Sequence, residues 1–166
     1  MKLRWTNYDW HFCIDNGSDE NVELVINNRS CSVPAKSFDN FYQDFHCPSI
    51  SIDCKGQNYH FETPGRYVFN IDALNSYYVI EHEVHTRFSF AADGFTLTDS
   101  ITDTIRNRMF FHEPHGIDKW FEYPQRISIR ATKDKTEWDI PKVIRSIQRI
   151  SEYEEYKRNE QEMYEE

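Results

Sequence analysis

The stretch YYVIEHEVHTRFSF, residues 77–90, decides the fold class of this chain. Its even positions, from Tyr78 to Phe90, are mostly apolar, whereas its odd positions from Glu81 onward are polar. Side chains of a β-strand point alternately to opposite faces, so this period of two predicts a long strand with one buried face. A helix does not give such a pattern over fourteen residues, and the turn signal at residues 91–94 predicts that the strand continues into a hairpin.

Much of the remaining chain carries the same kind of signal. Residues 22–33 alternate on either side of Asn27-Asn28, and residues 49–61 flank Lys55-Gly56-Gln57. Both patterns predict hairpins, because Asn and Gly accept the left-handed backbone of tight turns. Further strands are predicted at residues 3–14, 66–71, 95–99 and 126–131.

One early segment departs from the strand pattern. Phe38, Phe41, Tyr42 and Phe45 are spaced i, i+3, i+4 and i+7, and Pro34 precedes them at a position suited to a first helical turn. The spacing predicts a short amphipathic helix over residues 34–45 that packs on the sheet.

The end of the chain predicts a long helix over residues 141–166. A first apolar stripe ends at Ile150, and a second, weaker stripe begins at Tyr153 on a different side of the helix. A helix that changes its apolar face meets two surfaces, so we expect folding to end near residues 150–152 and recognition or fraying to begin there. The first stripe consists of Ile140, Val143, Ile144, Ile147 and Ile150, and the second of Tyr153, Tyr156, Met163 and Tyr164.

These elements predict an α+β fold that is mainly antiparallel, because the connections are too short for repeated crossover helices. We expect six to nine strands in a curled sheet or partial barrel, a short inserted helix and a long C-terminal helix. Residues 1–151 are expected to form one domain, and residues 152–166 the acidic, extended or frayed end of the helix.

Charge narrows the classes of partner. The 166 residues have a formal net charge of −9, which disfavours general binding to nucleic acids or anionic membranes. Residues 126–151 contain 7 basic and 3 acidic side chains, whereas residues 152–166 contain 2 basic and 7 acidic ones. The helix end therefore marks a charge boundary.

Cysteine usage and hydropathy indicate the compartment. The sequence has four cysteines, an N-terminus without the apolar core of a signal peptide, and no run of the ~18 apolar residues that a membrane span needs. These features predict a cytoplasmic protein with reduced thiols and no membrane association.

The polar face of the long strand is the first candidate ligand site. Glu81, Glu83, His85 and Arg87 lie on alternate positions and are expected to point the same way. Two carboxylates can hold a cation, His85 can act as a base, and Arg87 can bind a phosphate oxygen. The competing interpretation is the solvated outer face of a half-buried sheet.

Histidines and cysteines elsewhere give weaker signals. His82 is expected on the apolar face, as a hydrogen-bonded core residue rather than a ligand. The sequence leaves open whether His112 and His115, or the group Cys47, Cys54 and His60, bind a metal ion, since neither matches an established ligand spacing. We predict no cofactor and no metal, and no nucleophile with its base is identified.

Aromatic and acidic side chains form the second candidate site. They are predicted to contact a protein partner, because aromatic side chains in loops are enriched at interfaces. The set comprises Trp120, Phe121, Glu122 and Tyr123, together with Glu152, Tyr153, Glu155 and Tyr156 of the last helix.

Two hypotheses of function follow. The first is a non-enzymatic acidic protein that binds and inhibits a larger, basic or nucleic-acid-processing protein, by analogy of composition with phage anti-defence inhibitors, immunity proteins and DNA mimics. The alternative is a small barrel that binds or hydrolyses an anionic, phosphorylated ligand through the Glu81/Glu83/His85/Arg87 face. A homo-oligomer formed through the C-terminal helix is a further possibility.

Overall fold

The computed structural model describes residues 10–43, 47–87, 94–121 and 142–165. These residues form twelve strands, a 3₁₀ turn at Ile71–Ala73 and one α-helix. The strands are β1 (Trp10–Asn16), β2 (Val22–Ile26), β3 (Arg29–Val33), β4 (Ser37–Gln43), β5 (Ile50–Cys54), β6 (Gln57–Phe61), β7 (Gly65–Asn70), β8 (Tyr77–Arg87), β9 (Gly94–Ile105), β10 (Phe110–His112), β11 (Lys119–Trp120) and β12 (Lys142–Arg149), and the helix is α1 (Ile150–Glu165).

The chain divides into two compact units. Unit one contains the described residues up to Leu74 together with Asn107–Glu113, and unit two contains Asn75–Arg106 together with the described residues from Pro114 onward. The expectation of one domain over residues 1–151 stays a prediction.

Unit one consists of two four-stranded sheets, ordered β10-β7-β1-β4 and β3-β2-β5-β6. All strand pairs are antiparallel except β1 with β7. Side chains from both sheets share one hydrophobic cluster, in which Phe12 and Ile14 of one sheet join Ile26 and Ile52 of the other. The interior is aromatic: the rings of Phe69 and Phe110, for example, stack at 4.4 Å.

Two hairpin turns in unit one confirm the sequence-based prediction. Asn27 and Asn28 have φ values of 45° and 66°, and Lys55 and Gly56 have φ values of 50° and 76°. Positive φ at both central residues is the geometry that matches the right-handed twist of paired strands. These turns fix the registers of β2 with β3 and of β5 with β6.

The predicted helix over residues 34–45 is wrong where the structure describes it. Ser37–Gln43 is strand β4, which pairs with β1 so that Phe41 lies opposite Phe12. Phe41 is buried in the core and Tyr42 is half exposed, as expected for neighbours on a strand. All seven residues of β1 are buried, so its backbone needs a hydrogen-bonding partner on each edge, and this requirement overrides the helical spacing of the aromatic residues.

Unit two contains a sheet ordered β11-β12-β8-β9. Strand β8 confirms the predicted long strand over Tyr77–Arg87, and residues 88–90 lie outside the described chain. Ile80 and His82 are fully buried, whereas Glu81 and Glu83 are only partly buried, which confirms the predicted alternation there. Strands β9 and β12 flank β8 in antiparallel orientation, and β11 runs parallel to β12.

The prediction of one helix over residues 141–166 is also wrong in its first part. Residues Lys142–Arg149 form β12, which pairs along its whole length with β8, and the helix begins only at Ile150. Val143 is 53% exposed while Ile144 and Ile147 are buried, so the apolar stripe does not face one side as it would in a helix. Valine and isoleucine suit a strand, and pairing with β8 decides between the two conformations.

The observed architecture is therefore mainly β, with three antiparallel-rich sheets and a C-terminal helix. Twelve strands in the described ranges exceed the predicted six to nine, and these strands do not close into a barrel. No helix in the part of the chain that the structure describes is long and apolar enough to cross a membrane. The strand predicted at residues 126–131 lies outside the described residues.

We expect truncation of Ile52 to destabilise unit one strongly. Ile52 is fully buried, so Ile52→Ala should lower the free energy of unfolding by about 2–5 kcal/mol through lost burial and the cavity left behind. The isomeric side chain of Leu74 is 52% exposed, and Leu74→Ala should cost less than about 1 kcal/mol. Urea unfolding followed by circular dichroism measures both, and equal losses would contradict the position of Ile52 in the core.

Candidate functional site

Six polar side chains of unit two form one hydrogen-bonded chain, named here the Asp99 network. It begins on β12, crosses β8 and β9 on one face of the sheet, and ends on α1. Its members are Gln148, Ser146, His82, Asp99, Tyr153 and Lys157.

One contact within β12 and two between strands link β12, β8 and β9. The Ser146 Oγ lies 3.2 Å from the Gln148 Nε2 and 2.6 Å from the His82 Nε2. The other ring nitrogen, His82 Nδ1, lies 2.6 Å from the Asp99 Oδ1. The two 2.6 Å distances are short for hydrogen bonds, and the contact to Asp99 is the kind that a carboxylate charge shortens.

A β-bulge places Asp99 opposite His82. From Tyr77 to Val79, strand β8 pairs in one register with β9; from Ile80 onward the register is shifted by one residue, which leaves Thr102 without a counterpart on β8. Without that shift Ser100 would lie opposite His82. The bulge therefore changes which β9 side chain lies opposite His82, and β-bulges commonly redirect side chains in this way.

The donors and acceptors are compatible with one direction along the chain. The Gln148 amide donates to the Ser146 Oγ, so the buried hydroxyl hydrogen is available to the His82 Nε2. His82 then carries its hydrogen on Nδ1 and donates it to Asp99. In this arrangement both ring nitrogens of His82 and the Asp99 carboxylate have hydrogen-bonding partners.

Asp99 also accepts two contacts from α1. Its Oδ2 lies 2.8 Å from the Tyr153 hydroxyl and 3.3 Å from the Lys157 Nζ. Burial alone raises the pKa of Asp99, but the hydrogen bond and charge of His82, with Tyr153 and Lys157, outweigh burial and lower that pKa. Burial and the contact with Asp99 raise the pKa of Tyr153. Burial lowers the pKa of Lys157, but Asp99 raises it, and the net change is upward.

Further contacts hold the first turns of α1. The Tyr78 hydroxyl donates to the Glu154 Oε1 at 2.9 Å, and the Tyr78 ring meets Tyr153 edge-on at 5.9 Å. Arg149 pairs with Glu152 at 2.8 Å. The sequence predicts that folding ends near residues 150–152, but the chain is still packed beyond them, because Tyr153 is only 6% exposed.

The order serine, histidine, aspartate is that of an activated nucleophile and its base. Ser146 and His82 have no exposed surface, however, and Gln148 is 4% exposed. A substrate cannot reach the Ser146 Oγ while α1 is docked. In this state the Asp99 network is a buried polar connection between the sheet and the helix.

Sequence reasoning found one part of this network and missed the rest. The expectation that His82 is a hydrogen-bonded core residue is confirmed. The sequence pattern predicts Ser146 in a helix and Asp99 at the end of a short strand, and neither prediction brings them to His82. The one sequence signal was a histidine on an apolar strand face, which demands polar partners from neighbouring strands.

The predicted ligand face around Glu81 is partly neutralised within its own sheet. The Arg145 Nε lies 3.6 Å from Glu81, across the β8–β12 pair, and both side chains are partly exposed. Glu83 lies opposite the exposed Val143. His85 and Arg87 continue β8, but their side chains lie outside the described part of the chain.

The predicted aromatic contact residues make contacts within unit two. Trp120 lies in β11 opposite Ile147, and Phe121 stacks on Tyr77 at 5.8 Å. The Arg149 guanidinium sits 4.4 Å from the centre of the Phe121 ring. Glu122 and Tyr123, the other two residues of this set, lie outside the described residues.

The described residues do not assemble either candidate metal-binding group into a metal site. Cys54 points into the core opposite Gln57, whereas His60 lies on the other face of the same hairpin, so the two cannot ligate one ion. The Cys47 Sγ accepts a contact from the Asn27 amide. The His112 ring packs against Tyr67 in unit one, and the His115 carbonyl accepts a hydrogen bond from Arg145 in unit two.

Within the described ranges, no three His, Cys, Asp or Glu side chains are grouped as a metal site would require.

The fold and site define a mainly β protein whose C-terminal helix is docked by a buried polar network. A scan against protein-family models and searches of curated proteins and of solved structures found no match.

Replacing the central carboxylate should destabilise unit two. Asp99→Asn removes the charge that strengthens the hydrogen bonds from His82 and Tyr153 and that attracts Lys157, and losing hydrogen bonds to a charged group costs about 1.5–3 kcal/mol. Asp103→Asn, at an exposed position of the same strand, is the matched control and should cost less than about 0.5 kcal/mol. Urea unfolding at neutral pH measures both, and a similar loss in the two variants would contradict a special role for Asp99.

The pH dependence of that loss has a defined sign. The pKa of Asp99 is lowered in the folded state, so its contribution is complete above the ordinary aspartate pKa of about 3.9 and disappears as the pH falls through the lowered value. The pKa values of Tyr153 and Lys157 are raised, so their contributions are complete below about pH 10 and disappear as the pH rises further. The stability difference between wild type and Asp99→Asn should therefore be flat from about pH 5 to 9 and shrink below about pH 4. A difference that persists unchanged in strong acid would contradict this assignment.

Proposed function

We propose that the protein acts by binding a larger protein that has a basic surface, and that the outward side of α1 is the main contact. The exposed charged residues of this side are four glutamates and one arginine: Glu154, Glu155, Arg158, Glu162 and Glu165. The observation that supports the proposal is the orientation of α1: Tyr153 and Lys157 turn toward Asp99, whereas Glu155, Glu162 and Glu165 face solvent. Glu154 is exposed but also accepts the Tyr78 hydroxyl.

The orientation changes which helix residues are proposed as contacts. Tyr153 is buried against its own sheet, and Tyr156 is half-buried on the neighbouring position of the helix surface. Glu152 is paired with Arg149. Of the four helix residues predicted from the sequence, Glu155 is the exposed one, and Glu162 lies two turns further along the same side.

Electrostatics favours a basic protein over other partners. The net charge of −9 repels phosphate backbones and anionic lipids, whereas a row of carboxylates on one helix attracts a basic surface and speeds the encounter. A protein that processes nucleic acid presents such a surface, and an acidic helix in its binding groove competes with the natural substrate. Inhibition of such an enzyme in the cytoplasm, without catalysis by this chain, is the proposed activity.

The alternative, binding of an anionic ligand by the Glu81/Glu83/His85/Arg87 face, has less support. Two carboxylates repel an anion, and the described cation beside them, Arg145, already faces Glu81. The described strands leave this sheet open rather than closing it around a ligand.

Neutralising two outward carboxylates should weaken partner binding. We expect Glu155→Gln/Glu162→Gln to raise the Kd for the partner by about tenfold at low salt, at about 0.7 kcal/mol for each exposed charge. The bait is the tagged full chain in a lysate of the native host, and each protein captured by wild type is then purified and titrated. The expected partner binds more weakly as salt rises, because screening acts on exposed charges.

The matched control is Glu20→Gln/Glu23→Gln, which makes the same charge change at exposed positions of unit one. It should leave the Kd within about twofold of wild type, since these carboxylates are not on α1. Equal weakening by both double variants would show that only net charge matters. No weakening by the α1 variant would show that the partner uses another surface, and either result would overturn the proposal.

A further inference from the structure

The attachment of α1 depends on few apolar contacts. Among the helix side chains that the structure describes, only Tyr153 is buried. A helix of 16 residues is marginal in water by itself, so most of its stability must come from docking. With so little apolar surface to bury, the polar contacts with the sheet decide whether the helix stays in place.

Those polar contacts converge on one carboxylate. Asp99 receives His82 on its Oδ1 from the sheet, and Tyr153 and Lys157 on its Oδ2 from the helix. Tyr153 and Lys157 are four residues apart, so they project from the same side of α1. The Asp99 side chain is 6% exposed, so water cannot replace a lost donor at little cost.

We propose that Asp99 is a latch: its ionised carboxylate docks α1, and its neutralisation releases the helix while the sheet stays folded. The sheet keeps its own ladder of hydrogen bonds along β8, β9 and β12 without Asp99. Other contacts at the first turns of α1 do not involve Asp99: Tyr78 meets Glu154 and the Tyr153 ring, Arg149 pairs with Glu152, and the Ile150 amide donates to the Ser76 carbonyl. The carboxylates of Glu152 and Glu154 are exposed to solvent, so their two pairings contribute less than the contacts to the buried Asp99.

The neighbouring charged groups do not replace the latch. On the helix, Glu160 approaches Lys157 at 3.4 Å and competes with Asp99 for the same ammonium. On the sheet, Ser146 and Gln148 are uncharged and hold His82 rather than α1. In the described part of the sheet, loss of the Asp99 charge thus removes the anionic partner of the Tyr153 hydroxyl and the Lys157 ammonium.

The latch also bears on the proposed function, and this step rests on that proposal. A docked α1 presents Glu155 and Glu162 in fixed positions, whereas a released helix must pay the ordering cost when the partner binds. Release would therefore weaken binding without any change in the outward carboxylates.

Hydrogen exchange monitored by mass spectrometry tests the latch without a partner. In Asp99→Asn we expect the amides of residues 151–165 to exchange at least about tenfold faster than in wild type. The amides of β8 and β12 should remain strongly protected, more so than those of α1, and the control Asp103→Asn should match wild type throughout. Unchanged protection of α1 in Asp99→Asn would overturn the proposal.

A second variant removes the helix groups that contact the Asp99 carboxylate. Tyr153→Phe/Lys157→Met keeps the side-chain volumes and removes both donors, and it should accelerate exchange in α1 to a similar extent. Combined with Asp99→Asn it should add no more than about twofold, because both changes remove the same contacts. Should Asp99→Asn also loosen the sheet, the helix-side variant decides: faster exchange confined to α1 supports the latch, and wild-type exchange overturns it.

Exchange and partner binding are separate measurements. If α1 is released in these variants but the partner is still bound equally well, the latch stands and the proposed contact surface falls. If α1 stays protected while Glu155→Gln/Glu162→Gln loses the partner, the latch falls and the proposed function stands.

Discussion

A carboxylate removed from water must be matched by donors, and the arrangement of unit two follows from how Asp99 is matched. Its partners come from β8 and from α1, and the chain extends through His82 to Ser146 on β12. Strands β8, β9 and β12 and the helix α1 are therefore connected through the Asp99 carboxylate. The apolar residues of the sheet supply the free energy of burial. They do not by themselves determine the position of α1, since the helix has one buried residue among those described.

The same network constrains the register of the sheet. A slip of one residue along β8 would turn Glu81 and Glu83 into the interior and His82 outward, which adds buried charge and removes the partner of Asp99. The bulge at Val79 and Ile80 shows that register was adjusted at the point where it brings Asp99 opposite His82. Buried polar groups that specify one arrangement are documented in other proteins, and the chain from Gln148 to Lys157 fits that use better than it fits catalysis, since its serine has no exposed surface.

What the sequence could predict was local. The alternation in β8 and the turns at Asn27-Asn28 and Lys55-Gly56 depend on neighbouring residues, so pattern and turn chemistry were sufficient. The strands β4 and β12 were not predictable in this way, because their aromatic and isoleucine spacings suit a helix and only pairing with β1 and β8 makes them strands. The Asp99 network was hidden for the same reason: its members are up to 75 residues apart and meet through pairings that no short window contains.

The change of apolar stripe at Ile150 illustrates how a correct observation supported a wrong conformation. The stripe does change there, and the structure changes there too, from β12 to α1 without an intervening loop. A strand exposes alternate residues and a helix exposes every third or fourth, so a stripe analysed with one period appears to rotate where the period itself changes. Tyr153 and Tyr156 are then the docking side of a short helix rather than the free side of a long one, and its acidic side is left outward by the same geometry.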